Sequence, residues 1–213
     1  MNGQRARRPR SADPVATSDR PDEHVPLTDD EILAGIVGEA PVTFQPIVLV
    51  EYDPAWPGLY EREEARIRNA LGDRALLVEH VGSTSVPGLP AKPIVDIVLV
   101  VGDSSDEVDY VPRLEAAGYV LRIREPDWYE HRMFKGPDTN VNVHVYSEGC
   151  EEIERYLLFR DWLRRDPVDR ERYEQAKWEL AERDWKFVQN YADAKSEIVE
   201  EIIARARVGD GPS

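Results

Sequence analysis

The chain has 213 residues, and hydrophobic residues make up 41% of it, which is ordinary for a folded protein and too high for a wholly disordered one. Its formal net charge of −15 argues against a broad contact with nucleic acid or anionic membranes, and no apolar run approaches the roughly 20 residues that cross a bilayer. Cys150 is the only cysteine and no signal-peptide apolar core follows the basic start, so we expect a cytoplasmic protein without an intrachain disulfide.

Both ends of the chain are predicted to lack stable structure. Residues 1–27 are rich in Arg, Pro, Asp and Ser with almost no apolar periodicity, which predicts a disordered tail, and residues 207–213 are assigned a second tail. Residues 28–46 form an extension in which Thr28, followed by acidic residues and Ile32, predicts the start of a short helix. Residues 47–206 are predicted to form one domain.

From residue 47 onward, strand and helix patterns alternate. Near-helical spacing of apolar residues predicts a helix over 56–71, and continuous aliphatic residues at 94–101 predict a central strand covered on both faces. Residues 140–146 alternate between valines and Asn142, His144 and Tyr146, which predicts a strand with one polar face. The other predicted strands are 76–81, 119–124 and 131–135, and the other predicted helices are 106–117, 151–165, 168–190 and 193–206. The expected fold is α/β or α+β, a mixed sheet flanked by helices with a helical C-terminal portion.

The first feature with chemical content is the loop Gly82-Ser83-Thr84-Ser85, which follows a predicted strand. Its hydroxyls and backbone N–H groups suit phosphate oxygens, because glycine lets a ligand approach the backbone closely. Most strings of this composition are ordinary turns or helix caps. The pattern alone leaves both interpretations open.

The second feature is Asp96, which interrupts the apolar strand at 94–101. A carboxylate in a central strand costs several kcal/mol unless it is paired or bound to a metal. One interpretation is a buried Asp that pairs with a neighbouring loop or with Lys92. The other is a carboxylate that binds a metal or transfers a proton at the edge of an active site.

A strand ending in Gly-Ser, a loop, and a second strand carrying Asp together resemble the nucleotidyltransferase superfamily and, more narrowly, the GrpB family. The resemblance extends from about Ile47 to Ala206, nearly everything except the N-terminal tail. The matching residues are Tyr52-Asp53-Pro54, Trp56, His80-Val81-Gly82-Ser83-Thr84-Ser85-Val86-Pro87-Gly88-Leu89, Ala91-Lys92-Pro93-Ile94-Val95-Asp96-Ile97, His131-Arg132, Val143-His144-Val145 and Phe159-Arg160-Asp161-Trp162-Leu163-Arg164.

The resemblance implies a nucleotidyltransferase-like fold that binds a nucleoside triphosphate and a divalent metal. In that superfamily the Gly-Ser element holds a nucleoside triphosphate and strand carboxylates bind divalent metal. Carried over to this sequence, it implies phosphate contacts from Gly82, Ser83, Thr84, Ser85 and Lys92. Asp96 becomes the expected ligand of Mg²⁺ or another divalent metal, and a catalytic residue.

The chain departs from the active superfamily pattern at Val98. Active members usually carry two carboxylates two residues apart on this strand, and here Val98 stands at the partner position. A third carboxylate usually lies on a neighbouring strand, where this chain offers His144. Two-metal catalysis needs several anionic oxygens around both ions. The sequence leaves open whether Glu79, Glu125, Asp127 or Glu130 supplies one in space.

Three further polar residues have two interpretations each. His144 is a candidate metal ligand or proton-transfer group, against the commoner case of a solvated or hydrogen-bonded histidine. His80 precedes the glycine loop and either orients it or has another structural role. Arg132 is a candidate phosphate contact, with surface ion pairing as the alternative.

Two long cations share apolar helix faces in the C-terminal portion. Arg160 lies on the stripe that holds Ile153 and Leu163, and Lys177 follows Tyr173 on another apolar face. Inward cations need a partner, either a protein carboxylate or an anionic ligand. In the superfamily that the chain resembles, the helical part often closes over the nucleotide, so the resemblance implies phosphate contacts from both. The alternative is a buried salt bridge with Asp161, Asp184 or Asp96.

Two functions are compatible with these observations. The first is an enzyme that transfers a nucleotidyl group from a nucleoside triphosphate to a small acceptor, with Asp96 on the metal and His144 as metal ligand or general base. The second is a nucleotide- or metabolite-binding module that lacks catalysis, which fits Val98. Neither involves nucleic acid or a membrane as partner.

Overall fold

The structure, a computed structural model, describes residues 26–209. Most of both predicted tails, residues 1–25 and 210–213, lies outside the described residues. The described helices are α1 (Asp29–Ala34), α2 (Trp56–Leu71), α3 (Glu107–Ala116), α4 (Glu151–Arg165), α5 (Pro167–Ala181), α6 (Val188–Asp193) and α7 (Ser196–Gly209). The strands are β1 (Leu77–Val81), β2 (Val95–Val101), β3 (Val120–Glu125), β4 (His131–Lys135) and β5 (Val141–Ser147).

The five strands form one mixed sheet in the order β1-β2-β5-β4-β3. The central pair, β2 and β5, is parallel, and the other three pairs are antiparallel. The expected fold class, a mixed sheet flanked by helices with a helical C-terminal portion, is therefore confirmed.

The two faces of the sheet carry different residues, because side chains alternate along each strand. On one face, Ile97 of β2 and Val143 of β5 pack with Ile67 of α2 and Leu114 of α3 in the main core. On the other face, Asp96 lies directly opposite Asn142 in the β2–β5 register. The polar face of β5 and the one charged residue of β2 therefore point to the same side.

Helices α4 to α7 cover this second face. Ile153 of α4 packs on Val98, Val100 and Tyr146 of the sheet. A further apolar cluster joins α4, α5 and α7 to the loop after β1. None of the helices in the described part of the chain is long and apolar enough to span a bilayer.

The extension before the domain bridges the edge of the sheet and the C-terminal helices. Thr28 caps α1 in the predicted way: its hydroxyl accepts the N–H of Glu31, whose carboxylate in turn accepts the backbone N–H of Thr28 at 2.8 Å. The chain then pairs with β3, where the N–H of Arg124 donates to the carbonyl of Gly35 at 2.8 Å. It next reaches the C-terminal part, where the N–H of Phe44 donates to the carbonyl of Lys186 at 2.9 Å.

The largest differences from the predicted boundaries lie between Ala181 and Ser196 and at the chain ends. The helix predicted over 168–190 ends at Ala181, and α6 is a separate helix. The Trp185 indole N–H donates to the carbonyl of Leu180 at 2.8 Å and satisfies the helix end in place of another turn. At the chain ends, the N–H of Leu27 donates to Asp193 at 3.1 Å and α7 continues to Gly209, so these residues are not part of a disordered tail.

Candidate functional site

A cavity of about 840 Å³ lies between the polar face of the sheet, helices α4 to α7 and the N-terminal extension. Its floor is formed by Asp96, Asn142 and His144, and the loop after β1 contributes Gly82, Ser83 and Thr84. Aromatic side chains line the helical side, namely Tyr156, Phe159, Tyr173 and Tyr191. This volume is in the range of pockets that hold small organic ligands, roughly 300–1,000 Å³.

Asp96 touches the glycine of the loop at the end of β1. Val81 is its direct neighbour in the β1–β2 pair, so the next residue, Gly82, turns over the carboxylate. Gly82 has a φ of 68°, and a Cβ added to it would lie 2.6 Å from Asp96 Oδ2. Both the backbone conformation and the close approach therefore require glycine at this position.

The Asp96 carboxylate lies next to Asn142 and His144 on the floor of the cavity. Its Oδ1 accepts a hydrogen bond from Asn142 Nδ2 at 2.7 Å and lies 3.7 Å from His144 Nε2. Burial acts to raise the pKa of the Asp96 carboxyl, but His144, Asn142 and the positive charge of Lys92 act in the other direction and bring the pKa below its ordinary value. Asp96 is therefore an ionised carboxylate.

The predicted phosphate loop is only partly turned toward the cavity. Ser83–Ser85 form a single 3₁₀ turn. Thr84 is buried and its hydroxyl lies 3.0 Å from His80 Nε2, so His80 orients the loop from the opposite face of the sheet. The Ser85 hydroxyl donates to the carbonyl of Gly82 at 2.6 Å, and Ser85 does not line the cavity. Ser83 is the residue whose hydroxyl is directed to the cavity lysines.

Four lysines converge on this cavity. The chain contains five lysines among 27 cationic residues, and Lys92, Lys135, Lys177 and Lys195 all line the cavity, while Lys186 lies outside it. Lys177 is 2% exposed and donates to the carbonyl of Pro90 and to Ser83 Oγ. Within residues 26–209, none of the four forms an ion pair with a carboxylate of the protein.

Burial makes these ammonium groups unusually acidic. It lowers the pKa of Lys177 to about 7, and the neighbouring charge of Lys195 adds to this effect. Burial likewise lowers the pKa of Lys92 and of Lys195 to about 8, and that of Lys135 below its ordinary value. Asp96 stabilises the charged forms of Lys92, Lys135 and Lys195, Asp193 also stabilises that of Lys195, and Glu174 stabilises that of Lys177. The site therefore concentrates more positive charge than its carboxylate compensates.

A chain of titratable groups runs from the cavity floor into the sheet. His144 Nδ1 lies 3.1 Å from Nε2 of His131, and His131 Nδ1 lies 2.7 Å from the Glu125 carboxylate. The two imidazole planes are within 15° of each other. Burial lowers the pKa of His131 to about 4 against the opposing effect of Glu125, so the His131 ring is neutral at physiological pH.

Besides Ser85, two further predicted phosphate contacts do not lie in the cavity. Arg132 is on the other face of the sheet, where its Nε donates to Glu107 of α3 at 2.6 Å. Arg160 donates to Glu79 at 2.7 Å and to Asp161 at 2.8 Å. Neither cation is directed to a ligand in this cavity. Arg160 instead forms the salt bridge with Asp161 that was the alternative interpretation of the sequence.

The residues at the predicted metal site do not fit a divalent metal held by the protein. In the part of the chain that the structure describes, no group of three or more His, Cys, Asp or Glu side chains is arranged to hold an ion. Val98, at the position of a second carboxylate, is fully buried under α4. The carboxylate Glu125, one of the spatial substitutes, is engaged by His131. Lysines surround Asp96 instead, and their charge opposes a bound cation.

Sequence reasoning did not identify Lys135, Lys195 or Asn142 as site residues. Lys135 lies opposite Asn142 in the β4–β5 register, which only the tertiary structure fixes. Lys195 lies just before α7, in a connection that the sequence presented as helix. The sequence contains one signal that could have pointed to these lysines. Most of the 27 cationic residues are arginines, so the five lysines are a small and distinct set.

Comparisons with known proteins agree on one family. The family described as GrpB protein matches residues 46–205. A UPF0157 protein of Halalkalibacterium halodurans is 61% identical over 181 residues, which is 85% of this chain and 93% of that protein. A UPF0157 protein of Streptomyces coelicolor is 50% identical over 160 residues, 75% of this chain and 84% of that protein. The crystal structure of the conserved protein GrpB from Enterococcus faecalis has a TM-score of 0.65 and 32% identity, and covers 76% of this chain and 98% of its own.

Proposed function

The chain belongs to the GrpB family, and we propose that its cavity binds a phosphorylated metabolite of nucleotide size, such as a nucleoside triphosphate. The observation that carries this proposal is the convergence of Lys92, Lys135, Lys177 and Lys195 on one cavity. Buried ammonium groups without ion-pair partners are costly in the free protein, and a polyanion would offset that cost.

The negative charge elsewhere in the cavity does not neutralise the lysines. Glu152 and Glu200 line the cavity, but Arg155 pairs with both, at 2.7 and 2.5 Å. Glu125 contacts His131. Asp193 and Glu174 act on Lys195 and Lys177 but do not line the cavity. Asp96 is the cavity-lining carboxylate beside the lysines, so a ligand with two or more negative charges fits the site better than a cationic or neutral one.

The shape of the cavity fits an organic phosphate better than a free phosphate ion. An inorganic phosphate would leave most of the 840 Å³ unfilled. Aromatic rings lie next to the lysines: the ammonium of Lys177 is 5.0 Å from the Tyr173 ring centroid, and that of Lys195 is 4.6 Å from the Tyr191 centroid. A planar or apolar group attached to the phosphate would pack against such rings.

Nucleotidyl transfer is the second candidate function. One observation favours it: Asp96 is an ionised carboxylate that faces the cavity beside Gly82 and Ser83. Because the protein offers one carboxylate and one imidazole, the phosphates of the substrate would have to supply most oxygen ligands of any Mg²⁺. Binding without catalysis does not require a bound Mg²⁺, and we therefore prefer this function.

Calorimetric titration with ATP, GTP, CTP and UTP, each with and without Mg²⁺, tests the proposal. We expect metal-independent binding that weakens roughly tenfold or more in Lys177→Met, because a phosphate then loses a desolvated cationic partner. Lys186→Met is the matched control, since Lys186 is an exposed lysine outside the cavity and pairs with Asp29. This variant should bind as the unaltered protein does.

The same titrations separate the two candidates. Binding that requires Mg²⁺ and disappears in Asp96→Asn would favour nucleotidyl transfer and justify a search for the acceptor. Failure of all four nucleotides to bind, or equal binding by Lys177→Met and Lys186→Met, would contradict the proposed function.

A further inference from the structure

The cavity lysines occupy two different positions. Lys92 and Lys195 share one aromatic ring: their ammonium groups lie 5.4 and 4.6 Å from the centroid of Tyr191. Lys177 instead lies 5.0 Å from the centroid of Tyr173. We call Lys92 and Lys195 the Tyr191 pair, and the pair is distinct from the position of Lys177.

The Tyr191 pair carries more positive charge than one carboxylate of the cavity compensates. Burial lowers the pKa of Lys92, and the charges of Lys195 and Lys135 lower it further, so all three ammonium groups lie near one another. Asp96 acts in the opposite direction on all three. Asp193 also acts on Lys195, from outside the cavity lining. Within residues 26–209, no carboxylate forms an ion pair with any of these lysines.

Both ammonium groups of the Tyr191 pair are open to the cavity. In the described chain, no protein oxygen accepts a hydrogen bond from Lys92 or Lys195. Neither nitrogen is among the buried polar atoms that lack a partner, so both are accessible from the cavity that these residues line. The face of Tyr191 attracts a cation but offers no lone pair to its N–H groups. These N–H groups are therefore available to the oxygens of a ligand.

Lys177 has less capacity for a ligand than the Tyr191 pair. Its side chain is 2% exposed, and it already donates to the carbonyl of Pro90 and to Ser83 Oγ. An ammonium group has three N–H donors, so one of them remains. This position therefore suits a group of single negative charge, whereas the Tyr191 pair suits a group of higher charge.

The phosphates of a polyphosphate chain differ in the same way. A terminal phosphate carries two negative charges above its second pKa of about 6, and an internal phosphate carries one. We propose that the Tyr191 pair binds the terminal phosphate of the ligand and that Lys177 binds the phosphate next to it. The ligand is then an organic diphosphate or triphosphate with a free end. This inference rests on the proposed function, since it takes the lysines as the phosphate site.

Three related probes test the assignment on the unaltered protein without Mg²⁺. They are AMP, ADP, and ADP whose terminal phosphate carries a methyl ester. ADP should bind about tenfold more tightly than AMP, which lacks the internal phosphate for Lys177, and about tenfold more tightly than the ester, which lacks one terminal charge for the Tyr191 pair. Calorimetric titration measures both preferences.

Two variants should each remove one of the preferences. In Lys195→Met the preference for ADP over its methyl ester should shrink markedly, and the preference for ADP over AMP should persist. In Lys177→Met the two effects should be reversed. Both substitutions remove a cation without an ion-pair partner, so we expect both variants to fold, which thermal unfolding measures. Lys186→Met, the control outside the cavity, should keep both preferences.

The outcomes distinguish this inference from the proposed function. Equal affinity of ADP and its methyl ester, or loss of the same preference in Lys195→Met and Lys177→Met, would overturn the assignment of the two phosphates and leave the phosphate site standing. Failure of ADP and of inorganic tripolyphosphate to bind the unaltered protein would overturn the proposed function and, with it, this inference.

Discussion

At the scale of single residues, the contact between Gly82 and Asp96 organises the site. The turn after β1 passes directly over the carboxylate, and glycine makes that possible because it has no Cβ. The same contact aligns Ser83 with the lysine that donates to its hydroxyl. The Gly-Ser element therefore has a packing role in the free protein, before any ligand is considered.

Replacing this glycine should therefore destabilise the fold. In Gly82→Ala the new Cβ would lie 2.6 Å from Asp96 Oδ2 at a φ of 68°, and we expect the free energy of unfolding in urea to fall by about 1–3 kcal/mol. Gly58→Ala is the control: Gly58 lies inside α2 with no atom within 4 Å of an added Cβ, so it should stabilise by up to about 1 kcal/mol. Equal effects of both substitutions would contradict this account.

Local sequence identified some site residues and not others. Asp96 and the loop at 82–85 could be recognised because a charged residue in an apolar strand and a glycine after a strand are local signals. Arg132 and Arg160 could not be assigned correctly, since the sheet face of Arg132 and the carboxylate partners of both depend on strand register and helix packing. The lysines of the cavity come from four separate segments that only the tertiary structure brings together.

At the scale of elements, β2 changes its environment along its length. Asp96 faces the cavity, whereas Val98 and Val100, on the same side of the strand, lie beneath α4 with Tyr146 and Ile153. Helix α4 thus covers the position at which a second carboxylate would be needed. The absence of a second carboxylate therefore follows from the packing of two elements, because α4 covers the valine that stands at that position.

Introducing a second carboxylate in Val98→Asp should destabilise the fold more than it favours metal binding. Val98 is 0% exposed in an apolar cluster, and burying an unpaired carboxylate there should cost several kcal/mol, roughly 3 or more. Thermal unfolding measures this cost with and without Mg²⁺. Val120→Asp, on β3 with 52% of its surface exposed, should change stability by less than about 1 kcal/mol. A stable Val98→Asp variant that Mg²⁺ stabilises further would refute this explanation.

Most elements could be predicted from periodicity, and the exceptions have physical causes. The helices at 56–71 and 151–165 and the strand at 131–135 match the structure at both ends, because apolar spacing and turn residues mark them clearly. Periodicity does not predict the break after Ala181, because the helix-like spacing continues; the Trp185 side chain ends the helix by donating to the carbonyl of Leu180. Outside the named strands, Val50 forms an isolated bridge with Ala91.

At the scale of the whole molecule, charge is segregated. The chain has a formal net charge of −15, yet its cavity collects four of its five lysines. A net negative charge disfavours contact with extended polyanions, while the cations in the cavity would attract a small anion. Under the proposed function, size and charge would select the ligand together.

We expect this segregation to make the proposed ligand binding depend on pH. Lys177 has a pKa of about 7, and Lys92 and Lys195 have pKa values of about 8, so raising the pH from 7 to 9 removes positive charge from the free site. The triphosphate loses no negative charge as the pH rises, and binding then requires proton uptake by the lysines. We expect the Kd of ATP to rise more than tenfold, with proton uptake visible as buffer-dependent binding heat.

The variant Lys177→Met is the control for this dependence, because it removes the lysine that titrates at the lowest pH. Its Kd should change less steeply between pH 7 and 8. A pH-independent Kd in the unaltered protein would mean that these lysines do not contact the ligand.

The bridging path of the N-terminal extension has a consequence for cooperativity. Leu27, near one end of the described chain, and Ile203, near the other, line the same cavity. A bound molecule would act as a noncovalent cross-link between segments that are remote in sequence, and ligand at 100 times its Kd adds about 2.7 kcal/mol to any opening that releases it. Local unfolding of the extension and of the last helix would then be coupled through the ligand.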